Sequence, residues 1–175
     1  TKKQIIDNHL EIAMKKYQCK QAIGVAMNPN NGAVLAMVAK PDYNPNDPLK
    51  QKEYHQILPI WMSYEPGSTL KSLTFAAALE EGVIDMFHDY YDDKGYEIVM
   101  GRRIKSWKAG GHGHQSFLQV LENSSNPGFV EISRRLGSKK LYQYVKDFGL
   151  TSKTGIDLPG ESKGIMFDEN MNELQ

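Results

Sequence analysis

The chain carries a serine and a lysine three residues apart, Ser68 and Lys71, at the start of an apolar, alanine-rich segment. A Pro-Gly pair breaks the chain just before Ser68, and serine is a favoured N-cap, so the sequence predicts a helix that Ser68 opens. Residues at i and i+3 share a helix face, and the Lys71 ammonium is therefore expected to reach the Ser68 hydroxyl. This pair suits nucleophilic catalysis, because a serine attacks poorly unless a neighbouring base takes its proton. Lysine serves as that base when burial lowers its pKa.

The same spacing also arises by chance, and an isolated S-x-x-K is more often a capped core helix with a solvated lysine. A second polar group, Ser124-Ser125-Asn126, follows well downstream between two helical patterns. Serine and asparagine bend and cap chains everywhere, so the group by itself indicates a turn. Beside Ser68 and Lys71, however, the Ser124 hydroxyl could relay a proton to a leaving amine. The Asn126 amide could hydrogen-bond an amide-bearing substrate.

The elements that must position these residues follow from periodicity and turn signals. An amphipathic helix is predicted at 3–18, and two short apolar runs at 21–27 and 33–40 indicate a β-hairpin. Small residues recur in this hairpin, so another element is expected to pack closely on it. The proline-rich stretch at 41–48 is predicted to be a loop. Further along, the sequence predicts the following elements: a helix at 68–82, a hairpin joining 96–99 to 103–104, a capping box at Ser116 that opens a short helix, and helices at 129–136 and 138–148.

Composition excludes several classes of function. Lys plus Arg and Asp plus Glu balance at 21 each, so no overall charge favours nucleic acid as a partner. The single Cys19 excludes an internal disulfide framework, and no apolar run approaches the length that spans a bilayer. His112-Gly113-His114 offers two potential ligands where a metal normally needs three or four, so a polar turn is the preferred interpretation and no metal site is predicted.

Several segments in order resemble class B penicillin-binding proteins, the monofunctional transpeptidases of peptidoglycan synthesis. Tyr-Glu-Pro-Gly-Ser-Thr-Leu-Lys at 64–71 is similar to the active-site helix of that family. The predicted hairpin, with the Lys-Pro-Asp-Tyr-Asn-Pro-Asn that follows it, is similar to the family's first two strands and the loop after them. The segment from Gly111 to Asn126 is similar to the part of the family sequence that leads into its second motif. The resemblance covers nearly the whole chain, which is far more specific than either short motif.

The resemblance implies an α/β fold of the α+β type, the penicillin-binding and serine β-lactamase-like transpeptidase fold, with an antiparallel sheet flanked by a helical subdomain. Ser68 would be the acylated nucleophile, Lys71 its general base, and Ser124 with Asn126 the second motif. The expected substrate is the D-Ala-D-Ala end of a peptidoglycan stem peptide, and β-lactams would acylate the same serine. No cofactor is implied. The expected location is the outer face of the bacterial cytoplasmic membrane, through an anchor outside this chain, with cell-wall synthesis proteins as partners.

The family's third motif, K-[ST]-G on an inner strand, has an apparent match at Lys153-Thr154-Gly155. These residues run at once into Asp157-Leu158-Pro159-Gly160, which cannot continue as a central strand. They are also similar to a family segment that lies between the second and third motifs. We therefore predict that residues 1–175 form a partial transpeptidase domain, whose third-motif strand and closing helix lie beyond Gln175.

Two other classes of function stay open at this point. A serine β-lactamase or β-lactam sensor would share the fold. A β-lactamase of class A also needs a carboxylate to activate the deacylating water, and Glu161 is the candidate for that role, but its Pro-Gly-Glu context matches the transpeptidases. The lifetime of a penicillin adduct would separate these enzymes. A non-catalytic scaffold for a cell-wall complex is the second class, and the intact Ser68, Lys71, Ser124 and Asn126 argue against it.

Overall fold

A computed structural model describes residues 1–44, 46–47, 50 and 57–166. The described chain divides into two compact units, one built from Thr1–Ser63 and Gly155–Ser162 and the other from Tyr64–Thr154 with 163–166. Part of the predicted loop at 41–48, and the predicted third motif beyond Gln175, lie outside the described residues. In the part of the chain that is described, no helix combines the length and apolar character needed to cross a bilayer.

The first unit is a helix packed on a β-hairpin. Helix α1 (Lys2–Tyr17) is followed by antiparallel strands β1 (Ala22–Met27) and β2 (Val34–Lys40), and α2 (Leu58–Trp61) is a single turn. A Cβ added to Gly24 would lie 2.5 Å from Ile6 Cγ2, so the helix approaches the hairpin closely, as its small residues indicate. Lys40 Nζ pairs with Asp7 at 2.9 Å and joins the hairpin to the helix. The predicted helix and hairpin are both confirmed.

The second unit is mainly helical and carries the predicted site. After a single 3₁₀ turn at Gly67–Leu70, its elements in chain order are α3 (Lys71–Glu80), β3 (Tyr90–Asp93), β4 (Tyr96–Val99), β5 (Arg102–Lys105), β6 (Gly113–Ser116), α4 (Phe117–Glu122), α5 (Asn126–Leu136) and α6 (Ser138–Asp147). Strands β4 and β5 form the predicted hairpin, and the Ser116 capping box is present with both of its hydrogen bonds. The pairing of β3 with β6, from Tyr90 opposite Ser116 to Asp93 opposite Gly113, was not predicted.

One core holds this second unit together. Its buried residues come from three helices, from β3 and from the loop after α3: Phe75, Ala78, Ile84, Tyr91, Phe117, Val120, Phe129 and Ile132. The Phe75 and Phe129 rings, with centroids 6.3 Å apart, join α3 to α5. Burying large aromatic and branched side chains is the main stabilising term for such packing. The core therefore fixes α3 against α5, the two helices whose N-terminal ends carry Lys71 and Asn126.

All strand pairs of the described chain are antiparallel, which agrees with the predicted α+β class. The strands form three separate two-stranded sheets rather than the single sheet that the sequence led us to expect. The extent of the domain, a partial one over 1–175, stays a prediction.

Candidate active site

Ser68 lies in a 3₁₀ turn ahead of α3, and the prediction that it caps the helix is wrong. The turn spans Gly67–Leu70, and α3 begins at Lys71 with Leu70 at its N-cap and no side-chain cap. The Lys71 N–H donates to the Ser68 carbonyl, so the tight turn satisfies its own backbone. Gly67 enters the turn at φ 55, a left-handed conformation in which glycine has no Cβ penalty. The Ser68 hydroxyl is consequently not used as a cap and accepts a hydrogen bond from Ser124 Oγ at 3.2 Å.

Lys71 Nζ donates three hydrogen bonds, all to the second motif. Its acceptors are the Ser124 carbonyl at 2.8 Å, Ser124 Oγ at 3.0 Å and Asn126 Oδ1 at 2.6 Å. The expected direct contact with Ser68 is absent from the hydrogen bonds of the described residues, because these three acceptors already match the three donors of an ammonium. The Lys71 nitrogen also lies 5.2 Å from the centre of the Phe129 ring. Partial burial lowers the pKa of Lys71 below its usual 10.5.

Ser124 is the link between the nucleophile and the lysine. Its hydroxyl contacts both Ser68 Oγ and Lys71 Nζ, and its carbonyl also accepts from Lys71. The Ser124 backbone has φ 49, a left-handed conformation that is uncommon for a residue with a side chain. This conformation is over-determined by bonds on both sides, because Ser124 N–H donates to Leu121 and Ser125 N–H to Val120.

Ser125 and Asp93 form the buried support of this turn. Ser125 is the N-cap of α5, accepting from the Gly128 N–H at 3.2 Å, and it donates to Asp93 Oδ2 at 2.9 Å. Asp93, only 2% exposed, also accepts from the Gly95 N–H. The middle serine of the motif is therefore structural. Sequence reasoning did not single out Asp93, because the Tyr-Tyr-Asp-Asp of β3 does not alternate between apolar and polar residues and gives no sign of which aspartate is buried.

Asn126 is the first residue of α5 and bridges Lys71 to the end of β5. Its Oδ1 accepts from Lys71, and its Nδ2 donates to the Lys105 carbonyl at 3.2 Å. An asparagine amide has two N–H donors, so one of them stays available to a substrate. The sequence treated this residue as part of a polar turn, whereas α5 already begins here.

Trp107 is a residue of the site that the sequence did not reveal. Its Nε1 donates to the Asn123 carbonyl at 2.7 Å, directly before Ser124, while 70% of the side chain is exposed. His112 packs edge-on against this ring, with centroids 5.1 Å apart. Trp107 lies in an aperiodic stretch, and no spacing rule connects it to Ser124. The structure thus adds a large apolar surface beside the second motif.

Two further predictions concern residues outside the cluster. Lys153, Thr154 and Gly155 are exposed and lie in no strand, which agrees with the prediction that they are not the third motif. His114 lies in β6, stacks on Tyr90 and pairs with Asp92 at 2.7 Å. Among the described residues, no three His, Cys, Asp or Glu side chains come together as metal ligands.

Comparison with known proteins places this geometry in context. A family model described as the penicillin binding protein transpeptidase domain matches residues 22–175. The chain is 50% identical over 165 residues to stage V sporulation protein D of Bacillus subtilis (strain 168), covering 93% of this chain and 26% of that protein. It is 31% identical over 160 residues to the peptidoglycan D,D-transpeptidase MrdA of Escherichia coli (strain K12), covering 83% and 25%.

A solved structure shows the same fold. Penicillin binding protein 3 from Mycobacterium tuberculosis, complexed with aztreonam, aligns with a TM-score of 0.86 at 24% identity, over 97% of this chain and 38% of that one. The chain thus spans about a quarter of the length of the curated relatives it matches.

Proposed function

This chain belongs to the penicillin-binding protein transpeptidase family, and we propose that it supplies Ser68 as the nucleophile of a peptidoglycan D,D-transpeptidase. Ser68 Oγ attacks the carbonyl carbon of the D-Ala-D-Ala amide bond, the C–N bond breaks, and the terminal D-alanine leaves with a proton. An amine of a neighbouring strand then attacks the resulting ester, forms the cross-link and restores the Ser68 hydroxyl. Penicillin and other β-lactams acylate the same oxygen.

The observation that supports this proposal is the continuous hydrogen-bonded path from Ser68 Oγ through Ser124 Oγ to Lys71 Nζ. Hydroxyl hydrogen bonds can reverse direction by rotation about the C–O bond. When Lys71 is neutral, Ser124 donates to Nζ and Ser68 donates to Ser124. The proton that leaves Ser68 during attack then passes to Ser124, and the Ser124 proton passes to Lys71. On expulsion of D-alanine the path runs in reverse and protonates the leaving amine.

We also propose the surroundings in which the whole protein works. Its substrate is the stem peptide of peptidoglycan, which it cross-links at the outer face of the bacterial cytoplasmic membrane. It works there with other proteins of cell-wall synthesis. The name of the relative that shares half of the residues points to sporulation as the stage at which this activity is used.

The test is to locate the penicillin adduct in the full-length protein. Labelling followed by proteolysis and mass spectrometry is expected to place one added penicillin on the peptide containing Ser68. Ser68→Ala should abolish the label while Ser125→Ala, if folded, retains it. Modification at Ser124 or Ser125 instead would remove the assignment of the nucleophile. An adduct that turns over rapidly would indicate a β-lactamase, and a folded protein that takes no label would indicate a scaffold.

The pH dependence of acylation tests Lys71 as the base. Burial lowers the pKa of this lysine below 10.5, so its neutral form becomes populated at a lower pH than that of a solvated lysine. The rate of Ser68 labelling should therefore rise with pH and reach a plateau, and the midpoint of the rise should give an apparent pKa below 10.5. The unfolded chain holds this proton to a higher pH than the folded chain, so the contribution of Lys71 to stability also rises with pH between the lowered pKa and 10.5. A labelling rate that is flat from neutral pH to about 10 would contradict this role.

A further inference from the structure

A surface pocket of about 290 Å³ lies beside the second motif, between the turn that follows β3 and the segment at 105–110. Four of its lining residues are cationic, and none of the others is acidic: Lys94, Arg103, Lys105 and Lys108. We call this feature the basic pocket. A Cβ on Gly95, whose φ is 92, would lie 3.1 Å from backbone atoms of Gly110 and Gly111, so glycine permits the close approach of the two segments that form it.

The charges of the basic pocket are not neutralised by the protein. Over the described ranges, none of the four cations forms an ion pair with a carboxylate. The Arg103 guanidinium lies 3.6 Å from the centre of the Tyr96 ring, which holds its donor plane in place. Asp93 is the carboxylate nearest in sequence to Lys94, and its two oxygens are bonded to Ser125 and to the Gly95 N–H.

An unused hydroxyl lies among these charges. Ser106 lines the pocket, and its Oγ is buried without a hydrogen-bond partner among the described residues. Buried polar atoms are nearly always paired in folded proteins, so this hydroxyl is a spare donor, which a rotation of the Ser106 side chain would turn toward the pocket. Four cationic side chains around one pocket fit an oxyanion, which accepts charge-assisted hydrogen bonds from lysine and arginine in other proteins.

The basic pocket shares a wall with the candidate active site. The Lys105 carbonyl accepts from Asn126 Nδ2, and Trp107 holds the Asn123 carbonyl, while Lys105, Ser106 and Lys108 line the pocket. A molecule bound at the second motif therefore has a charged pocket within its immediate surroundings. At about 290 Å³ the pocket lies at the lower end of the range for small-molecule sites, and it has room for a carboxylate with the atoms that carry it.

We propose that the basic pocket is an oxyanion subsite that binds a carboxylate of the peptide strand whose reacting end lies at Ser68. This inference rests on the proposed transpeptidase function. A phosphate group shares the chemistry of a carboxylate, and the wall shared with Asn126 is the reason for assigning the anion to the peptide substrate.

The test compares two peptides that end in D-Ala-D-Ala. They differ only at the residue before the first D-alanine, whose side chain ends in a free carboxylate in one peptide and in a carboxamide in the other. Their binding to the full-length Ser68→Ala protein is measured by calorimetry, so that no turnover is needed. The acid is expected to bind roughly 5- to 20-fold more tightly than the amide, the range for two partly solvated ion pairs. Raising the salt concentration should reduce this preference.

The double variant Lys94→Gln/Lys108→Gln removes two of the four cations and should reduce the preference. Lys94→Glu/Lys108→Glu brings the net charge of the lining to zero and should abolish it. The matched control Lys3→Gln/Lys139→Gln makes the same charge change at two exposed lysines outside the pocket and should retain the preference. Thermal unfolding of each variant checks that the fold is intact.

Equal binding of the two peptides by the parent site, or a preference that is unchanged in both double variants, would overturn the proposal. Inorganic phosphate, titrated in parallel, identifies another source of the anion. If phosphate binding depends on the two lysines while the peptides are not distinguished, the peptide assignment is wrong. Absence of penicillin labelling at Ser68 would refute the transpeptidase function separately, because the binding measurement does not depend on acylation.

Discussion

Replacing Lys71 with arginine is expected to slow the acylation of Ser68 by penicillin about 10²- to 10⁴-fold, the range typical of losing a general acid-base catalyst. Arginine keeps the positive charge and can still donate to Ser124 and Asn126, but its guanidinium is not deprotonated in proteins. The Lys71 nitrogen, in contrast, has a lowered pKa and lies at the end of the hydrogen-bonded path from Ser68. The measurement is the second-order rate of penicillin labelling in the full-length protein.

A control with the same chemical change separates catalysis from charge and size. Lys139→Arg alters an exposed lysine of α6 and should label at the parent rate. The Lys71→Arg protein should also lose the rise of the rate with pH, because no other group of the path titrates in that range. Acylation of a folded Lys71→Arg protein at the parent rate would show that the proton of Ser68 goes elsewhere.

Ser124→Ala is expected to reduce acylation about 10²-fold or more, because it removes the hydroxyl that joins Ser68 to Lys71. The Ser124 carbonyl would still hold the lysine, so the free energy of unfolding should change little. The neighbouring Ser125→Ala should do the opposite. It removes the N-cap of α5 and leaves the buried Asp93 with one partner fewer, which together cost about 1–3 kcal/mol of stability.

Labelling rates and denaturant unfolding curves of the two variants test this division of roles. The rate loss should be much larger for Ser124→Ala, and the shift of the unfolding midpoint much larger for Ser125→Ala. If Ser124→Ala labels as fast as the parent protein, Lys71 must act on Ser68 without the intervening hydroxyl. If Ser125→Ala is as stable as the parent, the bond to Asp93 does not support the turn.

Local sequence signals were sufficient where neighbouring residues decide the structure. The period of apolar residues predicted α1, the small and branched residues around 28–32 predicted the β1–β2 hairpin, and Ser116 with Gln119 predicted the start of α4. These signals act within a few residues, through capping bonds and side-chain periodicity. The β3–β6 pair was not predicted because its strands are short and lie far apart in sequence. No local pattern records such a pairing.

The sequence by itself identified the candidate site residues: Ser68, Lys71, Ser124 and Asn126 come from the two motifs and from the family resemblance. Only the tertiary structure decided how they are connected. Lys71 turns to Ser124, 53 residues away in sequence, while Ser68 lies in a 3₁₀ turn without capping the helix. The physical reason is that hydrogen-bond partners and unpaired charges depend on which segments the core brings together. The packing of α3 on α5 places Lys71 at the second motif, and the folding of the segment at 94–110 collects four unpaired cations beside it.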